Sequence, residues 1–150
     1  MIRTCLSIFA LSWFLTVASG PARADETSAT QRVWDHHIVA WKSRDVEAIL
    51  SDYTEESAII VVNKVIRGRK AIGDLFRQLF DIFDKVDKPD DHQIDPATVV
   101  GKVVYITWRV KIGGVDYPFG TDTFVIDKGK IEYQTITSDP RLFAVSGSKR

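Results

Sequence analysis

The second half of the chain constrains the fold most. After Phe83 the apolar residues recur with a period of two, in segments separated by turn signals only two or three residues long. Lys102–Lys111 places Val104, Ile106, Trp108 and Val110 on one face and Tyr105, Thr107, Arg109 and Lys111 on the other. Gly113-Gly114 reads as a hairpin turn, Tyr117–Ile126 as the next strand, Asp127-Lys128-Gly129 as another turn, and Lys130–Thr137 as the last strand. Parallel neighbours need crossovers of about a dozen residues or more, so these strands are expected to form an antiparallel meander. His92–Val99 is a weaker strand, bent at Pro96, and Ser138–Arg150 is expected to fray.

The first half has a helical period. Thr27–Lys42 carries Val33, Trp34, His37, Ile38 and Trp41 in one broad stripe, with Thr27, Ser28 and Thr30 as candidate caps. Asp45 reads as the N-cap of a second helix bearing Val46, Ile49, Leu50 and Tyr53. Ala58–Val62 is a β-branched strand, turned at Asn63-Lys64 to pair briefly with Val65-Ile66. Arg69–Phe83 is a third helix, striped by Ile72, Leu75, Phe76, Leu79, Phe80 and Phe83. Three helices with a small hairpin, followed by a meander, make an α+β fold with helices on one face of a curved antiparallel sheet.

Residues 1–24 read as an export signal rather than as part of this fold. Arg3 precedes Cys5–Val17, an uncharged apolar run of 13 residues, shorter than the roughly 20 needed to span a bilayer. Ala22-Arg23-Ala24 then forms an A-x-A cleavage pattern, leaving a mature domain Asp25–Arg150 without cysteine or membrane span. The expected location is the bacterial periplasm or the outside of the cell. Lys plus Arg and Asp plus Glu each number 20, giving net charge 0, so the chain lacks the basic field of a nucleic-acid binder. A single Cys excludes a disulfide framework.

No dinucleotide fingerprint, P-loop or nucleophile elbow is present. His36 and His37 are adjacent on a helix and point about 100° apart, so together they do not chelate one ion. With His92 as the only other histidine, neither a metal site nor a cofactor is expected. Asp84, Asp87, Asp90, Asp91 and Asp95 read as a solvated loop, interrupted by Lys85 and Lys88. Two residues stand out. His37 lies among Val33, Trp34 and Trp41 and is either a satisfied core histidine or a cavity donor or base. Asp122 alternates with Phe124 and Ile126, so either a carboxylate faces the apolar side or Thr121 and Thr123 do.

The segments His37–Trp41, Asp45–Tyr53, Ile66–Ile72 and Gly120–Ile131, in this order of elements, resemble the nuclear transport factor 2-like superfamily over about residues 30–137. That superfamily includes SnoaL-like polyketide cyclases and ketosteroid isomerases. The resemblance implies a cone-shaped fold, with three N-terminal helices on the concave face of its sheet. It puts His37 and Asp122 where the isomerases hold an oxyanion, which makes them the catalytic candidates. The isomerase base would fall near Val61, Val62 and Asn63, where no carboxylate stands.

The expected pocket is walled by Trp34, Trp41, Tyr53, Phe76, Phe80, Trp108 and Phe124. Its expected partner is a small apolar molecule, and the expected chemistry is proton transfer on a carbonyl compound, of isomerase or cyclase type. A non-catalytic ligand-binding or dimerisation module of the same fold is the alternative, so whether the chain is an enzyme stays open. Relatives of this fold commonly pair their sheets. A homodimer is expected through Tyr105, Thr107, Arg109 and Tyr133 on the outer face.

Overall fold

The computed structural model describes residues 21–84, 92–112, 115–139 and 141–142. Most of the expected export signal, the acidic connection through residues 85–91, the Gly113-Gly114 turn and the tail 143–150 lie outside the described residues.

Helix α1 runs Pro21–Lys42. It therefore starts before the hydroxyl cluster expected to cap it. Thr27 and Ser28 donate back to the carbonyls of Arg23 and Ala24 (3.0 and 2.9 Å), the i−4 bond that lets these residues sit inside a helix. Pro21 suits a first turn, which has no partner for its missing N–H. Arg44, at φ 56, breaks the helical path. Asp45 then caps α2 (Val46–Ser51) by accepting from the Ala48 N–H (3.0 Å).

Tyr53 is not on that helix. It opens strand β1 (Tyr53–Val61), which is longer than its β-branched core because the polar run Thr54–Glu56 joins the strand with Glu55 and Glu56 exposed. The hairpin partner is β2 (Lys64–Arg67), and α3 follows at Arg69–Asp84. The weak strand splits around Pro96 into β3 (Gln93–Ile94) and β4 (Thr98–Val100). The meander is β5 (Val103–Ile112), β6 (Val115–Asp127) and β7 (Lys130–Ser138), all antiparallel. A short β8 (Arg141–Leu142) returns to β6, where fraying was expected.

The sheet order is β2-β1-β7-β6-β5-β3. One pair departs from the antiparallel expectation: β1 runs parallel to β7. The helices occupy the long connections, so β1 reaches the far side of the meander without a hairpin. The result is an α+β cone, with helices packed on an unclosed mixed sheet. Trp34 of α1, Phe76 of α3 and Ile59, Val104, Phe124 and Ile131 of the sheet are buried together between the layers.

Candidate functional site

The strand alternation decides Asp122. Along β6, Asp122, Phe124 and Ile126 are buried, at 8%, 2% and 4% exposure, while Thr121 and Thr123 are only partly so. A carboxylate on that face needs partners, and it has two. Trp108 Nε1 donates to Oδ1 (2.8 Å) and Gln134 Nε2 donates to Oδ2 (2.7 Å). The register explains the pairing. Ile106 and Ile136 lie directly across from Asp122 on the flanking strands. Trp108 and Gln134 sit one diagonal step away, within reach of long side chains. Gly120 pairs with Trp108, and a Cβ there would stand 2.4 Å from the indole ring. The ring therefore lies against bare backbone, which lets Nε1 meet Asp122.

The network continues downward. Gln134 accepts at Oε1 from the Tyr53 hydroxyl (2.5 Å), which fixes the amide with its nitrogen toward Asp122. Burial, and then the charges of Asp122 and Asp52, push the Tyr53 hydroxyl well above its usual pKa, so it remains a donor. Burial raises the pKa of Asp122. The bonds from Trp108 and Gln134, and to a lesser degree the nearness of the His37 ring, pull the other way.

His37 is buried at 3% exposure, on the inner face of α1. Its Nδ1 lies 3.0 Å from Asp52 Oδ2, and His36 Nδ1 lies 2.8 Å from Asp52 Oδ1. Adjacent helical side chains diverge, yet here both rings converge on one carboxylate. The sequence reading missed this because Asp52 comes from another element. It is the C-cap of α2, and its backbone carbonyl accepts from the Ile131 N–H (2.8 Å), which fastens it between α1 and the sheet. A polar residue between the apolar runs of α2 and β1 was the only available hint.

A carboxylate only accepts, so each Nδ1 carries the hydrogen, a tautomer assigned from this network. In the neutral imidazole that leaves the lone pair of His37 on Nε2. Among the described residues no fully buried side-chain nitrogen or oxygen lacks a partner. Nε2, without one, therefore opens into the cavity that His37 lines.

That cavity is about 310 Å³. His37 and Asp122 both line it, with Trp34, Trp41, Phe76, Trp108 and Phe124 among its walls. Two expected wall residues are placed elsewhere. Tyr53 lies behind the lining, edge-on to the His37 ring (5.7 Å between centroids), because its hydroxyl is taken by Gln134. Phe80 lies tilted against Trp41 (5.0 Å between centroids) and faces an outer hollow of about 770 Å³ instead. Val61 presents an apolar wall where the resemblance would place a carboxylate base. Among the described residues, no three His, Cys, Asp or Glu side chains gather as metal ligands, and no helix is long and apolar enough to cross a membrane.

The sequence matches no family model and no curated protein. Solved structures do match. A cyclase-like enzyme, SalBIII, linked to pyran-ring formation in the polyether salinomycin, superposes with TM-score 0.62 at 18% identity, over 75% of this chain and 92% of its own. A candidate ketosteroid isomerase from Kribbella flavida gives TM-score 0.61 at 13% identity, over 81% and 86%. A SnoaL-like protein of unknown function from Burkholderia thailandensis gives 0.59 at 16% identity, over 75% and 95%. The agreement extends over most of each chain, at sequence identities that carry the fold alone. The chain therefore has the cone-shaped nuclear transport factor 2-like fold that SnoaL-like and ketosteroid isomerase-like proteins share.

Proposed function

We propose that this cavity binds a small, largely apolar carbonyl compound and that His37 moves a proton on it, in chemistry of the isomerase or cyclase type. The observation that supports this most is the orientation of His37. Nδ1 is tied to Asp52 and Nε2 is open to an apolar hollow, as a general base requires. Asp52 is then a positioning residue. Asp122 is the second polar group at the same surface and orients the bound compound beside His37. The cavity volume is at the lower end of ligand pockets, which suits one or two fused rings. Val61, in the position of a missing carboxylate, makes His37 the base in this reading.

The chain is proposed to act after export, in the periplasm or outside the cell, as a homodimer. The experiment is proton exchange. Purified protein is incubated in D₂O with a panel of one- and two-ring ketones, and loss of α-proton signal is followed by NMR. Exchange that disappears in His37→Gln, with ligand binding kept, is the expected result. Binding without exchange across the panel overturns proton transfer and leaves a binding module of the same fold.

A further inference from the structure

The hydrogen-bond inventory at the inner end of the cavity is one-sided. Trp108 spends its only N–H on Asp122. Tyr53 spends its O–H on Gln134, and Gln134 turns its amide nitrogen to Asp122. His37 spends Nδ1–H on Asp52. Each of these groups thus directs a donor at a protein acceptor, and Gln134 keeps one further amide N–H. What remains for a ligand is mostly acceptor capacity: the lone pair on His37 Nε2 and the second lone pairs of the Asp122 oxygens.

The carboxylate is also short of positive charge. Among the described residues no Lys or Arg forms an ion pair with Asp122, and the cavity is lined mainly by aromatic and aliphatic side chains, with His92, Tyr117, Gln134 and Ser138 the other polar groups in its wall. Two N–H donors, one on each oxygen, complement a carboxylate; a carboxylic acid would turn a hydroxyl toward the cavity and need an acceptor there.

From this we infer that the molecule bound in the cavity carries a hydrogen-bond donor, a hydroxyl or a protonated amine, on a small ring skeleton, and that Asp122 and His37 Nε2 accept from it. The inference rests on the reading of the cavity as a ligand site and narrows the compound to a hydroxylated or amine-bearing one. The roles divide accordingly. Asp122 anchors the donor group, and His37 is left facing the reacting position. The aromatic walls supply a further attraction if the donor is cationic, through the faces of Trp34, Trp41 and Trp108.

The test compares one skeleton with three polar groups. Binding of 2-indanol, 2-aminoindane and 2-indanone to the whole protein is read by quenching of tryptophan fluorescence, since three tryptophans line the cavity. The alcohol or the amine is expected to bind at least about tenfold more tightly than the ketone, the worth of one hydrogen bond in a dry site. Asp122→Asn offers an amide N–H in place of one acceptor at nearly constant volume, and should shrink that ratio below about threefold. A ketone that binds as tightly as the alcohol, or more tightly, overturns the inference, because Asp122 is then the donor. A preference that survives in Asp122→Asn also overturns it. Failure of the proton-exchange experiment with the alcohol or amine preference intact would remove catalysis and leave the ligand class standing. Equal binding of all three with exchange intact would do the reverse.

Discussion

Asp122 supports two predictions. Replacing it with Leu strands the Trp108 and Gln134 N–H groups in an apolar wall. Each orphaned donor costs about 1–3 kcal/mol, so Asp122→Leu should lower unfolding free energy in denaturant titrations despite its greater hydrophobicity. A neutral or stabilising result would mean the network contributes nothing. The second concerns pH. Burial raises the folded-state pKa of Asp122 above the ordinary 3.8. The proton is held more tightly in the folded state, so the stabilisation it brings is complete at acid pH, below the unfolded value. It is lost as pH rises through the raised folded value. The stability of wild type relative to Asp122→Asn should therefore fall as pH increases from about 4 and level off once Asp122 is ionised. A flat difference across that range would contradict the raised value. Asp122 was visible in the sequence as a misfit on an apolar face. Its partners were not, because diagonal neighbours depend on a register that alternation alone leaves free. Asp52 shows the same limit more sharply: a loop-like aspartate between two apolar runs acquires its importance only when α1 passes over it.

Between elements, the contact of β5 with β6 is the most exacting. Gly120 has no left-handed backbone to justify it; it is glycine because the Trp108 indole occupies the space of a side chain. Gly120→Ala should push the ring aside, at a cost of about 1–3 kcal/mol for overpacking, and break the bond to Asp122. The measurement is the indole N–H resonance of Trp108 together with the denaturation midpoint. An unmoved resonance would show that the ring adjusts without leaving Asp122. The helices, their stripes and the meander were legible from period and turn residues. The full extent of β1 was not, since Thr54–Glu56 is too polar to read as strand: it lies in the irregular stretch between the Tyr53 and Ala58 pairings with β7 and is tied by local bonds of Thr54 and Ser57. The second helix lost Tyr53 because Tyr53 pairs with Ile131 of β7.

For the whole molecule, the outer face of the sheet is the proposed meeting surface of two copies. Tyr105 and Tyr133 are exposed there at 40% and 45%. Thr107 and Arg109 bond locally to Asp95 and Gln93, so they sit at its edge rather than its centre. Such a mixture of aromatic and polar groups suits an interface. Light scattering at tens of micromolar should report a dimer, and Tyr105→Glu combined with Tyr133→Glu should shift it to monomer; wild type at monomer mass would refute the interface. Export predicts a mature chain beginning at Asp25. N-terminal sequencing of protein recovered from the cell envelope checks it, and a chain that retains Met1 would refute cleavage. The fold itself was legible from element order, as the superpositions bear out. The ligand was not, because cavity chemistry is assembled from side chains far apart along the chain.

The parallel pairing of β1 with β7 also orders events in time. Tyr53 and Gln134 are 81 residues apart in the chain and joined by one hydrogen bond. Until synthesis has passed β7, β1 has only its hairpin partner and Asp52 lacks the Ile131 N–H that fastens it. The amino-terminal half therefore cannot finish folding while the rest is still being made, and closure waits on a long-range contact, which slows folding. Under the proposed export such lateness is useful: β7, the last long strand to emerge, is the one that joins the two halves of the sheet.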